Sequence, residues 1–143
     1  MKKRFASLFL AVVMLLSMSV GVCASERGIQ ASEYFGYTDV RAYAEGGGEI
    51  LIEIDVDATS IMQKVGASEV YIYEQQSDGG YDNVYTFTME DYPYLVKSNT
   101  HCAYLDVYYQ GTPGVSYYAL VGCYAKDSNG SETLYFATNA VTA

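Results

Sequence analysis

The stretch GEILIEIDVD at residues 48–57 decides the fold class. Aliphatic residues occupy its even positions and mostly acidic residues its odd positions: Ile50, Ile52, Ile54 and Val56 against Glu49, Leu51, Glu53, Asp55 and Asp57. A period of two is typical of a β-strand with one face in the core and the other in solvent. The stretch therefore predicts a half-buried strand and a core built from strands.

Similar segments continue on both sides of this stretch. Three consecutive glycines, Gly46 to Gly48, predict a turn from a first strand at about residues 37–45. The later predicted strands are 69–75, 81–88, 100–109, 117–126 and 132–138. Glycine-rich or Asn-Gly turns separate several of them, including Asn129-Gly130, which favours a hairpin because both residues accept positive φ. The chain is predicted to be all-β, an antiparallel β-sandwich of about seven strands or a small barrel.

Two segments interrupt this pattern. Residues 59–67 place Ile61, Met62 and Val65 at helix-like spacing, which predicts one turn of helix or a packed loop. Residues 89–99 are expected to be irregular around Pro93.

The first 24 residues have the layout of a secretory signal peptide. Lys2, Lys3 and Arg4 precede an uncharged apolar run, and small residues lead to a predicted cut after Ala24. A permanent anchor or a lipidated Cys23 is less favoured, because the run contains serines and ends in a cleavage site, and Val22 precedes the cysteine. The sequence thus predicts a secreted protein without a stable membrane anchor after cleavage. Residues 25–35 are predicted to be a flexible lead and 36–143 the β-sandwich domain.

Charge and composition restrict the partners. The mature chain keeps all seventeen acidic residues but only five of the eight basic ones, giving a formal charge of −12. Such a surface repels nucleic acids and anionic membranes. All sixteen Tyr lie in the mature part and Trp is absent, a composition that favours strands.

Two cysteines remain after cleavage, Cys102 and Cys123. If residues 100–109 and 117–126 pair as a hairpin across the turn at 111–114, these cysteines lie opposite each other and can bridge. If the connection instead crosses between sheets, a bridge would join the two sheets. Closing such a loop stabilises by about 3 kcal/mol in the chain-entropy model. A structural disulfide is predicted, with a pair of buried thiols as the alternative.

Residues 111–136 (GTPGVSYYALVGCYAKDSNGSETLYF) resemble the closing hairpin of fibronectin type III and related immunoglobulin-like domains. The resemblance implies an immunoglobulin-like or fibronectin type III-like sandwich. The mature chain is also similar to small secreted proteins of Gram-positive, clostridial-type gut bacteria with no established function. That similarity lies in Ala31 to Tyr34, Gly66 to Glu74, Ala125 to Ser131 and Thr138 to Ala143.

Residue patterns give no catalytic, cofactor or metal site. His101 is the only histidine, and no nucleophile motif accompanies it. Two groups are candidate calcium ligands: Glu53, Asp55 and Asp57 on one strand face, and Asp127, Asn129 and Glu132 at a turn. Neither matches a calcium loop, and a row of carboxylates on a strand is usually a solvated face. The prediction is a protein that is not an enzyme and has no metal or cofactor, with an enzyme of atypical site as an alternative.

Tyrosine is the best candidate for binding. Val70 and Ile72 are expected in the core, which places Tyr71 and Tyr73 on the outer face, and Tyr104 and Tyr108 are expected to add to it. Exposed rings stack on sugars or grip extended peptides. The leading hypothesis is a secreted non-catalytic binding module for a cell-surface glycan or protein. The alternative is a small secreted inhibitor or effector of an extracellular enzyme, acting through a loop such as 89–99.

Overall fold

A computed structural model describes residues 32–143, which form seven antiparallel strands and one short 3-10 helix. The strands are β1 (Phe35–Gly46), β2 (Glu49–Gln75), β3 (Tyr81–Thr88), β4 (Val96–Gln110), β5 (Ser116–Lys126), β6 (Ser131–Ala137) and β7 (Val141–Thr142), with the helix at Pro93–Leu95. The all-β, antiparallel prediction is confirmed. The predicted signal peptide lies outside the described residues.

Strand β2 runs for 27 residues and organises the fold. The predicted turn of helix or packed loop at residues 59–67 is wrong, because the chain stays extended there. Met62 and Val65 are buried while Ile61 is 73% exposed. A break in register between Asp57 and Met62 shifts the inward positions, so a strand containing a bulge shows spacing that resembles a helix.

All seven strands belong to one curled sheet whose halves share β2. The part of β2 from Glu49 to Ala58 lies between β1 and β4, and we call this the three-stranded half. The part from Glu69 to Gln75 lies between β3 and β5, with β6 beyond β5, and we call this the four-stranded half. Residues 64–66 are flanked by β4 on one side and β5 on the other.

Gly66 permits a close contact between β2 and the segment before β4. Its φ is +154°, and a Cβ built on it would lie 2.0 Å from the carbonyl oxygen of Leu95. A distance under 3 Å from backbone is a collision, so only glycine fits here. The strand therefore passes directly against the segment that leads from the helix into β4.

One hydrophobic core covers the inner face of the sheet. It contains the even residues of early β2, the odd residues of β4 and the odd residues of β5: Ile50, Ile52, Ile54, Val56, Ala103, Leu105, Val107, Tyr117, Ala119, Val121, Cys123 and Ala125. Tyr117 is 1% exposed and its hydroxyl is fully engaged, accepting from the Thr112 N–H at 2.9 Å and donating to Glu74. The alternation predicted for residues 48–57 is thus confirmed.

The chain ends and turns are tied to the sheet. Strand β1 begins at Phe35, the last residue of the predicted lead, and the Ser32 hydroxyl accepts from the N–H groups of Tyr34 and Phe35. Strand β3 has the predicted bounds, and the predicted turn at 127–130 closes β5 onto β6. There the Asp127 carboxylate accepts from the Asn129 N–H at 2.7 Å and the Gly130 N–H at 3.0 Å.

Candidate binding surface

The outer face of the three-stranded half carries tyrosines and carboxylates in regular rows. Register places them in four rows across β1, β2 and β4: Tyr43, Leu51, Tyr108; Arg41, Glu53, Asp106; Asp39, Asp55, Tyr104; and Tyr37, Asp57, Cys102. We call this set the tyrosine–carboxylate face. It faces outward because the alternate residues of all three strands fill the core.

Four tyrosines lie at the edges of this face. Tyr37, Tyr104 and Tyr108 are 51%, 55% and 53% exposed, and Tyr43 is 38% exposed. Rings this accessible in a strand leave apolar area uncovered that a ligand can bury. The face is therefore more apolar at its edges than the carboxylates in its middle suggest.

Electrostatics along the face are dominated by negative charge. Five carboxylates, those of Asp39, Glu53, Asp55, Asp57 and Asp106, share it with one cation, Arg41, which pairs with Asp39 at 2.8 Å. The pKa of Asp55 is raised by partial desolvation and by the neighbouring carboxylates of Asp57 and Asp39. The face thus attracts cations and hydrogen-bond donors.

Tyr104 joins the aromatic and acidic parts of the face. Its hydroxyl donates to Glu53 Oε1 at 2.8 Å, and this hydrogen bond raises the pKa of Tyr104 to about 12. Beside it lies a shallow depression of about 190 Å³ lined by Asp39, Arg41, Glu53, Asp55 and Tyr104. The depression offers carboxylate acceptors next to an aromatic ring, the combination that sugars and basic side chains use.

Tyr71 and Tyr73 lie on the outer face of the other half. Val70 is 0% and Ile72 2% exposed, so the predicted alternation is confirmed. However, Tyr73 stacks on Tyr118 with ring centroids 4.9 Å apart and planes 4° from parallel. The two predicted tyrosine pairs therefore belong to different halves, and only Tyr104 and Tyr108 present largely free rings.

The predicted disulfide between Cys102 and Cys123 is not present. Strands β4 and β5 do not pair with each other; each pairs with β2, where Cys102 lies opposite Asp57 and Cys123 opposite Ala67. Cys102 faces outward and is exposed, whereas Cys123 is buried in the core. Burial raises the pKa of the Cys123 thiol to about 12, which leaves it protonated and unreactive at neutral pH.

The acidic groups weighed as calcium ligands have other roles. Asp127 closes the turn into β6, and its pKa is lowered by the backbone N–H donors of that turn. Within residues 32–143, no three His, Cys, Asp or Glu side chains are grouped so that they could hold a metal ion. His101 is exposed at the start of the regular part of β4.

Sequence reasoning did not single out the β1 part of the surface. Tyr37, Asp39, Arg41 and Tyr43 alternate with period two, a pattern that could have placed them on one face. Their neighbours across the sheet could not be named without the register. That register is what groups β1 with β4 across β2.

No protein-family model matches the chain, and no curated protein or solved structure is significantly similar to it. In residues 32–143 there is no helix with the length and apolar character needed to cross a membrane.

Proposed function

We propose that this chain is a secreted, non-catalytic binding module whose ligand contacts the tyrosine–carboxylate face. The observation that carries the proposal is the exposure of Tyr104 and Tyr108, 55% and 53%, on strand β4 on either side of Asp106. Tyrosine dominates many recognition surfaces because a large amphipathic ring adds contact area at little cost in side-chain entropy.

Carboxylates and rings together define the ligand chemistry. Sugars present hydroxyl donors to Asp and Glu and stack their apolar faces on tyrosine. Basic protein segments pair with the same carboxylates and lie over the same rings through cation–π contacts. A cell-surface glycan or protein is the proposed partner class, and export through the predicted signal peptide would place the module where such partners occur.

The proposed fold type is an immunoglobulin-like or fibronectin type III-like sandwich. In such a sandwich, strands A, B and E form one sheet and strands C, F and G the other. The three-stranded half supports this order with β1, early β2 and β4, and the four-stranded half with late β2, β5 and β6. Tyr117, near the start of β5, adds support, because its hydroxyl accepts from the Thr112 N–H five residues upstream, as in a tyrosine corner.

A binding screen with matched variants tests the function. The mature protein, residues 25–143, is applied to a glycan array and used in a pulldown from a cell-surface extract. Tyr104→Ala with Tyr108→Ala is expected to weaken any specific binding by about tenfold or more. Tyr135→Ala is the control: Tyr135 is 51% exposed on the other half, and its hydroxyl donates to Glu69 at 2.9 Å much as Tyr104 does to Glu53. Specific binding that the double variant leaves unchanged would contradict the proposal.

A further inference from the structure

The free edge of β4 is long and regular. From Cys102 to Gln110 this strand pairs with β2 without any break in register. Among residues 32–143, no other strand pairs with β4. Unpaired edges are templates for adding another strand, and proteins usually blunt them.

Three hydrogen bonds identify the backbone groups that point to this edge. Gly111 donates its N–H to the Gly48 carbonyl at 2.8 Å. In an antiparallel ladder this means that the backbone N–H and carbonyl groups of the odd-numbered residues of β4 point toward β2. In agreement, the hydroxyl of Thr100 accepts from the Cys102 N–H and donates to the Cys102 carbonyl on the side away from β2, so the open part of the edge begins at Tyr104. Tyr104, Asp106 and Tyr108 therefore turn both backbone groups toward the free edge.

Other edges of the sheet are less suited to adding a strand. On β1, the Asn139 side chain accepts from the Ala42 N–H at 3.0 Å and donates to the Ala42 carbonyl at 2.9 Å, so it covers the edge. The pairing of β3 is interrupted by a register shift, and the side-chain amide of Asn83 donates to the carbonyl of Tyr85 at 2.9 Å.

We propose that an extended segment of a partner protein, with Lys or Arg alternating with apolar residues, binds by adding as a strand to the free edge of β4. This inference rests on the proposed binding function and names its partner. Side chains opposite Tyr104, Asp106 and Tyr108 would lie on the outer face, where cross-strand neighbours interact directly. There, Asp106 lies in the same row as Glu53, and the tyrosines flank it, so basic residues are complementary.

The alternate positions of the added strand would face the core side. They would lie beside Ala103, Leu105 and Val107, which are 1%, 4% and 0% exposed, so apolar residues fit there. A second copy of this chain is a poorer partner. A symmetric antiparallel pair centred on Asp106 would place two carboxylates side by side. In addition, residues 32–143 of each copy carry sixteen acidic and only four basic residues, so two copies would repel each other.

Synthetic peptides test the inference by isothermal titration. The probe is a capped heptapeptide alternating Lys and Val, and the control alternates Glu and Val. We expect the mature protein to bind only the Lys peptide, with affinity falling as salt rises. Failure of the Lys peptide to bind at millimolar concentration would overturn the inference.

Asp106→Pro separates edge pairing from charge attraction. It removes both the outward N–H and the carboxylate, whereas Asp106→Asn removes only the charge. The N–H of residue 106 is not used in the β2 ladder, and proline is tolerated on an edge strand. We expect Asp106→Pro to weaken the peptide at least about tenfold beyond Asp106→Asn. Equal weakening by both variants would overturn edge pairing.

Hydrogen exchange gives a readout that needs no variant. Peptide binding is expected to slow exchange of the Tyr104, Asp106 and Tyr108 amides, with little change at Leu105 and Val107, which β2 already protects. Exchange that stays fast at all three edge amides in the saturated complex would overturn the inference. So would concentration-dependent dimerisation abolished by Asp106→Pro, which would assign the edge to a second copy.

The two proposals can fail separately. A glycan or protein that binds through Tyr104 and Tyr108 while the Lys peptide does not bind would overturn the edge inference and leave the proposed function standing. Peptide binding that is indifferent to loss of these tyrosines would support the edge and contradict the proposed binding face.

Discussion

The outer faces of the two halves each contain a pair of neighbouring tyrosines, and the two pairs differ in how much of each ring is covered. On the four-stranded half, Tyr73 stacks on Tyr118, and Tyr118 meets Tyr81 edge to face with centroids 5.0 Å apart. On the three-stranded half, Tyr104 lies opposite Asp55 and Tyr108 lies opposite Leu51, and both rings stay more than half exposed. For these rings the cross-strand neighbour makes the difference: Tyr118 stacks on Tyr73, whereas Asp55 and Leu51 leave Tyr104 and Tyr108 open.

Substitution of Gly66 should have the largest effect, because it breaks the close contact between β2 and the segment that leads into β4. Gly66→Ala puts a Cβ against the Leu95 carbonyl, and we expect a loss of more than about 3 kcal/mol in the free energy of unfolding, or failure to fold. Urea denaturation measures it. Gly79→Ala is the control, since Gly79 also has positive φ, +86°, but nothing lies within 4 Å of its added Cβ. Equal losses at both sites would mean that backbone strain alone, and not the close approach, makes Gly66 necessary.

Removing one hydroxyl at Tyr117 should have the next largest effect. Tyr117→Phe leaves the Thr112 N–H without its acceptor and Glu74 without its donor, in a region where the ring is buried. The expected loss is about 1–3 kcal/mol by thermal or urea unfolding. Tyr108→Phe, on the open face, should change stability by less than about 0.5 kcal/mol. A Tyr117→Phe protein as stable as the wild type would contradict the structural role given to this hydroxyl.

Truncating one tyrosine on each face tests the comparison directly. Tyr73→Ala removes the stacked pair with Tyr118 and should cost about 1–2 kcal/mol of stability. Tyr108→Ala should leave stability within about 0.5 kcal/mol and weaken ligand binding instead. If both variants lose stability equally, the open rings contribute to folding and the proposed division between the two faces is wrong.

The smallest expected effect is a change in titration. Glu53→Gln removes the carboxylate that accepts from Tyr104, so the pKa of Tyr104 should fall from about 12 toward its ordinary value of 10.0. Absorbance at 295 nm follows the phenolate. Because the folded pKa is raised, the contribution to stability is complete below pH 10 and is lost as pH rises toward 12, and Glu53→Gln should lose that pH dependence.

Glu69→Gln is the matched control for this titration on the other half, where the hydrogen bond to Glu69 raises the pKa of Tyr135. Glu53→Gln should lower the pKa of Tyr104, and Glu69→Gln should lower the pKa of Tyr135. An unchanged high-pH titration in Glu53→Gln would show that the bond to Tyr104 does not form in solution.

Strands with a clean period of two could be predicted from the sequence. Residues 48–57 are such a strand, and the Asn-Gly turn at 129–130 correctly predicted the pairing of β5 with β6. Residues 59–67 could not, because a bulge changes which positions face inward and this mimics helical spacing. Local patterns report side-chain alternation, but they do not report where the alternation slips.

The candidate site was predictable only in part, for a related reason. Tyr104 and Tyr108 follow from alternation along β4, yet their neighbours on β1 come from a strand some sixty residues away in the chain. The prediction of a Cys102–Cys123 disulfide was wrong for the same reason. Strands β4 and β5 each pair with β2 and not with each other, so the two cysteines do not lie opposite one another. Pairing partners depend on the whole sheet, which no short segment encodes.

The continuity of β2 has a consequence for folding. In a sheet whose halves are joined by a flexible loop, one half can melt while the other persists. Here a single strand supplies hydrogen bonds to both, and residues 64–66 bond to β4 and β5 at once. Loss of either half leaves a free edge on the remaining part of β2, so the domain should unfold as one cooperative unit, without a partly folded form that exposes this edge to aggregation.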